Sequence, residues 1–207
     1  DLWKAADETY LRIVDYKRGG REVDFAQIYY GLQLQLLVYL IAAGALFDAK
    51  YAAALYFNVS DPLVKTELTD PALVEQSREK ELRLDGMILA DKEVVQAMSD
   101  PPQLTLPVQL NRDGTLRKND RLLTGEDFAL LARHALACAQ RDLSAIRSGE
   151  IGAQPVSLGH AVPCAYCDFA AVCRQDSYTA AQRERRLRPL KAEEALAALR
   201  EEARSKE

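Results

Sequence analysis

No apolar run in this 207-residue chain approaches the roughly 18 residues that a membrane-spanning helix needs, so a soluble, cytoplasmic domain with no membrane partner is expected. Asp1-Leu2-Trp3-Lys4-Ala5 carries neither an initiator Met nor the basic, apolar and small-residue regions of a signal peptide. The chain is therefore expected to begin inside a larger protein. A positive balance is missing too. With a net charge of -4, the chain does not hold nucleic acid by bulk charge alone. There is no Walker phosphate loop, no Gly-x-Ser-x-Gly elbow and no dinucleotide fingerprint, which places any ATPase motor elsewhere. Cysteines number only four, too few and too clustered for a disulfide framework. Neither internal repeats nor low-complexity linkers occur. An acidic chain still suits one kind of DNA chemistry, because metal ions held by local carboxylates bring positive charge where a phosphate arrives.

The length allows roughly 70% of the unfolded surface to be buried without a covalent staple. Tyr10 to Lys17 mixes β-branched and aromatic residues and ends at Gly19-Gly20, the pattern of a central strand leading into a turn. From Phe25 to Leu46 the apolar residues recur at helical spacing on more than one face, which predicts one largely buried helix. Tyr51 to Val59 then reads as a second strand closed by Ser60-Asp61-Pro62, giving a strand-helix-strand crossover. The stretch from about 66 to 118, with the apolar run Met87-Ile88-Leu89 and a hairpin signal at Asn111-Arg112-Asp113-Gly114, reads as a peripheral insertion. Thr124 with Asp127 three residues on starts a helix that stops at Gly149. The charged, Ala-rich tail from 179 to 207 places Glu193, Glu194, Leu196 and Leu199 for an exposed terminal helix.

Two groups of residues carry chemistry. Positions two apart in a strand share a face, so Asp15 and Lys17 project together and Tyr16 points away. A carboxylate ligates Mg²⁺, and a neighbouring ammonium orients the attacking water or stabilises charge on a phosphate. An isolated Asp-x-Lys is usually a strand-end ion pair. This one ends an apolar strand, where α/β sites lie, and Gln35 and Tyr39 follow at i, i+4 on a helix that can face it. Lys17, Arg18 and Arg21 are the cations around this site. The second group is Cys164-x₂-Cys167-x₅-Cys173, three thiolates spaced for one metal centre, for which zinc is the generic reading. His160 beside it is a candidate outer partner or zinc ligand. Cys138 reads as a small buried helix residue, and His134 as a core-edge or surface histidine. Arg183, Arg185, Arg186 and Arg188 fit a solvated helix or subunit contact better than a phosphate site.

Ile13-Val14-Asp15-Tyr16-Lys17 followed by Gln35-Leu36-Leu37-Val38-Tyr39 resembles the motifs of the RecB-like nucleases of the PD-(D/E)xK superfamily. The run from Tyr29 to Leu40, with Ala54-Leu55-Tyr56-Phe57 and Leu84-Asp85-Gly86-Met87-Ile88-Leu89, is similar to the nuclease domains of the AddB family, one of the two components of bacterial AddAB helicase-nucleases. The resemblance implies an α/β restriction-endonuclease-like core, a central mixed sheet flanked by helices, truncated at its N-terminus and followed by an iron-sulfur segment. The expected organisation is a nuclease core over 1–150, a cysteine segment over 151–178 and a terminal helix over 179–207. It further implies that Asp15 is a metal ligand, the Tyr16 carbonyl a further ligand, Lys17 the catalytic lysine, and Gln35 and Tyr39 accessory residues. The implied cofactors are Mg²⁺ and a 4Fe-4S cluster held by Cys164, Cys167 and Cys173, with a fourth Cys from far upstream. DNA, an AddA-type subunit and the rest of a parent chain are the implied partners. The implied activity is exonucleolytic end resection of double-strand breaks on the 5′-terminated strand, in recombinational repair. The family's first acidic motif would fall at or just before Asp1. The competing expectation is a non-catalytic DNA-end-binding or scaffolding module stabilised by the cysteine-held metal.

Overall fold

The computed structural model describes residues 1–5, 7–59, 71–152, 154–159, 163–169, 172 and 184–205. Strand β1 (Leu2–Ala5) turns back into β2 (Glu8–Lys17), and helices α1 (Phe25–Tyr29) and α2 (Gln35–Phe47) lead to β3 (Lys50–Asn58). After α3 (Pro71–Glu81) come β4 (Asp85–Leu89), α4 (Lys92–Met98), α5 (Pro102–Thr105), β5 (Leu122–Leu123) and the long α6 (Gly125–Arg147). Strand β6 (Val156–Leu158), a 3-10 turn (Pro163–Tyr166), β7 (Arg185–Leu187) and α7 (Ala192–Arg204) complete the described elements.

The first five strands form one sheet in the order β1-β2-β3-β4-β5. It is mixed: β2 runs parallel to β3 and β4 parallel to β5, whereas β1-β2 and β3-β4 are antiparallel. The parallel β2-α2-β3 step is the expected crossover. Strand β3 is buried on both faces from Ala52 to Tyr56, as an interior strand must be. Ala54, Tyr56 and Met87 face the larger core, with Leu37 and Leu40 of α2, Phe128 and Leu131 of α6, and Leu196 and Leu199 of α7. Ala53, Leu55 and Ile88 face the other side, with Val95, Leu106 and Val108. No helix among the described residues is long and apolar enough to cross a membrane.

Four expectations are corrected. The helix expected over Phe25–Leu46 is two helices. Asp24 caps α1 by accepting from Ala26 N and Gln27 N at 2.8 and 3.2 Å, Tyr30 ends it, and Gly31 takes a φ of 78°, a left-handed turn that glycine enters without a Cβ clash. Hydrophobic periodicity runs through this break because both pieces bury apolar faces in the same core. The segment expected to be peripheral supplies β4, an interior strand whose Met87 and Ile88 are fully buried; its first residues, to 70, lie outside the described set. The terminal helix starts only at Ala192 and is not wholly exposed, since Ala195, Leu196 and Leu199 are buried. Finally, Arg185 and Arg186 lie on β7 and not on a helix.

The sharper local expectations stand. Thr124 and Asp127 form a reciprocal capping box at the start of α6, and Gly149 follows its end at φ 78°. Asn111 N donates to Thr115 O at 2.8 Å, closing the turn at Gly114.

Helix α7 is tied to α1 by one polar contact, Tyr29 Oη donating to Glu202 Oε1 at 2.7 Å. That bond, helped by burial, pushes the Tyr29 pKa up to about 12. Tyr29→Phe is expected to cost about 1 kcal/mol, the low end for a hydrogen bond to a charged group at a partly solvated site. Below the unfolded pKa of about 10 both states hold the proton and the tether contributes fully; above it the unfolded chain ionises first, so stability falls as pH rises toward about 12. The difference in urea midpoint between the wild type and Tyr29→Phe should therefore shrink between about pH 8 and pH 11; a constant difference would mean that the tyrosine proton is not held by this tether.

Candidate active site

The site lies at the C-terminal end of β2, beneath the start of α2. Asp15 and Lys17 share a face, and Lys17 Nζ stands 2.7 Å from Asp15 Oδ2, with side-chain exposures of only 28% for the lysine and 18% for the aspartate. Because α2 begins at Gln35, the crossover from β2 sets that amide directly over the strand end. Lys17 Nζ donates to Gln35 Oε1 at 2.7 Å, and Gln35 Nε2 donates to Tyr39 Oη at 2.9 Å. The four residues singled out in the sequence thus form one connected line. Accepting from Gln35 leaves the Tyr39 hydroxyl proton available to an incoming acceptor. Asp15 Oδ2 is buried and, apart from the Lys17 ammonium, meets no donor among the described residues. Tyr16 points outward, with its ring 67% exposed and edge-on to Phe57.

The sheet register adds residues for which the sequence pattern suggests no role. Asp15 pairs with Tyr56 on β3, and Tyr56 with Asp85 on β4. Directly paired residues share a face, so Asp15, Tyr56 and Asp85 form a row across three strands. The Lys17 ammonium sits 5.7 Å from the centre of the Tyr56 ring. Burial raises the Tyr56 pKa, against the pull of the nearby Arg21 guanidinium. Burial also raises that of Asp85, opposed by its hydrogen bond from Val23 N and by Arg121. Gln33 is a further addition. It is 5% exposed, and a glutamine set between leucines in a buried segment is the one sequence clue to it.

Other candidates lie apart from this line. Asp1 pairs with Arg12 across β1 and β2, both through the backbone and through Asp1 Oδ2 at 2.8 Å. Arg12 is an odd number of positions from Asp15, which puts Asp1 on the opposite face of the sheet. Arg18 and Arg21 are exposed on the loop after Lys17. Cys164 and Cys167 are free thiols, half-buried and exposed respectively, joined by Cys167 N donating to Cys164 O at 3.2 Å. Cys173, His160 and Arg183 lie outside the described residues. Among the described residues, no three His, Cys, Asp or Glu side chains are grouped to hold a metal. Cys138 is buried in α6, and burial pushes its thiol pKa up. His134 Nε2 lies 3.2 and 3.0 Å from the Ile28 and Tyr29 carbonyl oxygens at the end of α1. Arg186 pairs with Glu184 at 3.2 Å.

The family model of the PD-(D/E)XK nuclease superfamily matches residues 1–174. The chain is 35% identical to the AddB-type component of the ATP-dependent helicase/deoxyribonuclease of Thermoanaerobacter sp. (strain X514), over 84% of this chain and 16% of that protein. Proteins of the same name from Clostridium tetani and Alkaliphilus oremlandii are 34% and 30% identical, each over 98% of this chain and 18% of its own length. The chain therefore spans less than a fifth of the length of these relatives.

Proposed function

Because this chain belongs to the PD-(D/E)XK nuclease superfamily, we propose that it is the catalytic core of a Mg²⁺-dependent deoxyribonuclease within an AddB-type helicase-nuclease protein. The observation that carries the reading is the buried Asp15 Oδ2, which has Lys17 and no other donor beside it among the described residues. A carboxylate left with an open lone-pair direction, together with the adjacent Tyr16 carbonyl, is the oxygen donor set that suits Mg²⁺. Bound there, Mg²⁺ would supply positive charge to the scissile phosphate and to the leaving oxygen. Lys17, held by Asp15 on one side and Gln35 on the other, keeps an ammonium N–H for orienting the water that attacks phosphorus. Gln35 fixes that ammonium, and Tyr39 has its hydroxyl proton free for a phosphate oxygen. A second carboxylate for the metal would belong on the β1 side, opposite Asp15, three register positions beyond the Asp1–Arg12 pair.

The finer parts of the reading rest on the motif resemblance and on the names of the relatives. The substrate is a linear DNA end, the 5′-terminated strand is cut, and the partners are an AddA-type subunit and the rest of the parent protein. The setting is cytoplasmic, in double-strand-break resection and recombinational repair. Cys164, Cys167 and Cys173 contribute three thiolates to a 4Fe-4S cluster in preference to zinc, with a structural role that fastens the C-terminal segment.

The test is cleavage of end-labelled linear duplex by the full-length protein with its AddA-type partner, with Mg²⁺ and with excess chelator. Mg²⁺-dependent shortening of the 5′-terminated strand is expected. DNA-end binding without metal-dependent cleavage would instead make the chain a binding or scaffolding module. The same preparation should be brown and contain iron; a colourless zinc protein would replace the cluster reading with a zinc site.

A further inference from the structure

The loop between Lys17 and α1 ends in a clamp built from three separate parts of the chain. Gln33 spends both ends of its buried amide on this loop: Nε2 donates to Glu22 O and Oε1 accepts from Asp24 N, each at 2.8 Å. Between them, Val23 N donates to Asp85 Oδ2 at 2.6 Å and Val23 O accepts from Arg121 Nη1 at 2.7 Å. Arg121 Nη2 closes the arrangement on Asp85 Oδ1 at 3.0 Å, and the Val23 side chain is 5% exposed. Three consecutive residues are therefore held by polar contacts at both ends and in the middle. Paired and buried polar groups stabilise little beyond what apolar packing would give, but they fix position.

The residue so placed is Arg21. On its other side, Gly19 and Gly20 meet nothing within 4 Å of where a Cβ would stand, so the placement of Arg21 is set from the clamped side. Its side chain is exposed and lies beside Tyr56, which pairs with Asp15 in one direction and with Asp85 in the other. The clamp and the proposed metal site thus share one row of the sheet. The loop also forms a wall of an open cleft of about 680 Å³.

Building on the nuclease reading, we infer that Arg21 contacts a backbone phosphate of the DNA strand in the site, and that Gln33, Asp85 and Arg121 are positioning residues acting through Arg21. A guanidinium on a free loop would lose much of its advantage to the entropy of ordering; one held in place gives a charged hydrogen bond to phosphate at little ordering cost.

The experiment is a double-mutant cycle in the full-length protein with its AddA-type partner, read as kcat and KM on linear duplex and as the salt dependence of DNA-end affinity. Arg21→Ala should raise KM roughly tenfold or more, the loss of one charged hydrogen bond, and change kcat less. It should also lower the slope of log affinity against log salt by about one phosphate contact. Gln33→Met, which keeps the volume and removes both loop contacts, should reproduce the KM rise and the shallower slope. The double variant should be no worse than Arg21→Ala. Additive losses in the double variant, or an unchanged slope in Arg21→Ala, would overturn the inference. If Gln33→Met does not fold, Arg121→Lys takes its place in the cycle with the same expected outcome. Absence of metal-dependent cleavage by the wild type would count against the nuclease reading alone, since end affinity and its salt slope still decide the role of Arg21.

Discussion

Lys17→Ala in the full-length protein is expected to reduce metal-dependent DNA cleavage by about 10²- to 10⁴-fold, the range for a group that serves proton transfer or charge stabilisation in a transition state. The fold should hardly notice. The Asp15–Lys17 contact is partly solvated, and such pairs contribute only about 0–1 kcal/mol to stability. Metal affinity should be kept or should rise, because removing the ammonium leaves Asp15 Oδ2 without the cation beside it. Asp15→Asn has the opposite signature, losing cleavage and metal affinity together. Lys17→Arg should not rescue, since a planar fork cannot keep the geometry of a compact ammonium held at 2.7 Å from both Asp15 and Gln35. Cleavage rates, metal titration and thermal melting on the three variants separate these outcomes. Wild-type cleavage of both strands by Lys17→Ala would remove Lys17 from the mechanism.

Residues that act through local pattern are legible in the sequence. Asp15 and Lys17 follow from strand alternation, Gln35 and Tyr39 from i, i+4 spacing, and the cap of α6 from Thr124 and Asp127. Residues that act through register or through long-range pairing are not. Asp85 reaches the row of Asp15 only because β3 lies between β2 and β4, and no local pattern states strand order. Gln33 and Arg121 meet the same loop from positions 88 residues apart in sequence (121 − 33). The break between α1 and α2 is hidden for a related reason: the glycine signal at Gly31 is one residue, and the apolar pattern around it is many. Likewise β4 looks peripheral because a five-residue apolar strand amid charged sequence is read by its surroundings.

Gly86→Ala is expected to unfold most of the protein. A Cβ at this position would stand 2.2 Å from Ala54 O and 2.8 Å from Leu55 Cα, both backbone atoms of the neighbouring interior strand, and the residue has a φ of 154° that side chains disfavour. Relief requires β3 and β4 to separate where Leu55 pairs with Gly86, with Leu55 and Met87 buried on either side. A cost above about 4 kcal/mol is expected for such a combination of overpacking and backbone strain, against the roughly 5–15 kcal/mol that a domain has in total. Gly44→Ala is the control. There the added Cβ meets Tyr51 Cε1 at 2.6 Å, a ring edge that can swing away, so about 1–3 kcal/mol is expected. Thermal melting and limited proteolysis should show Gly86→Ala losing structure and cleavage together, whereas Lys17→Ala loses cleavage alone. A Gly86→Ala protein that melts like the wild type would mean that β4 does not approach β3 this closely, and the row that joins Asp15 to Asp85 would fail with it.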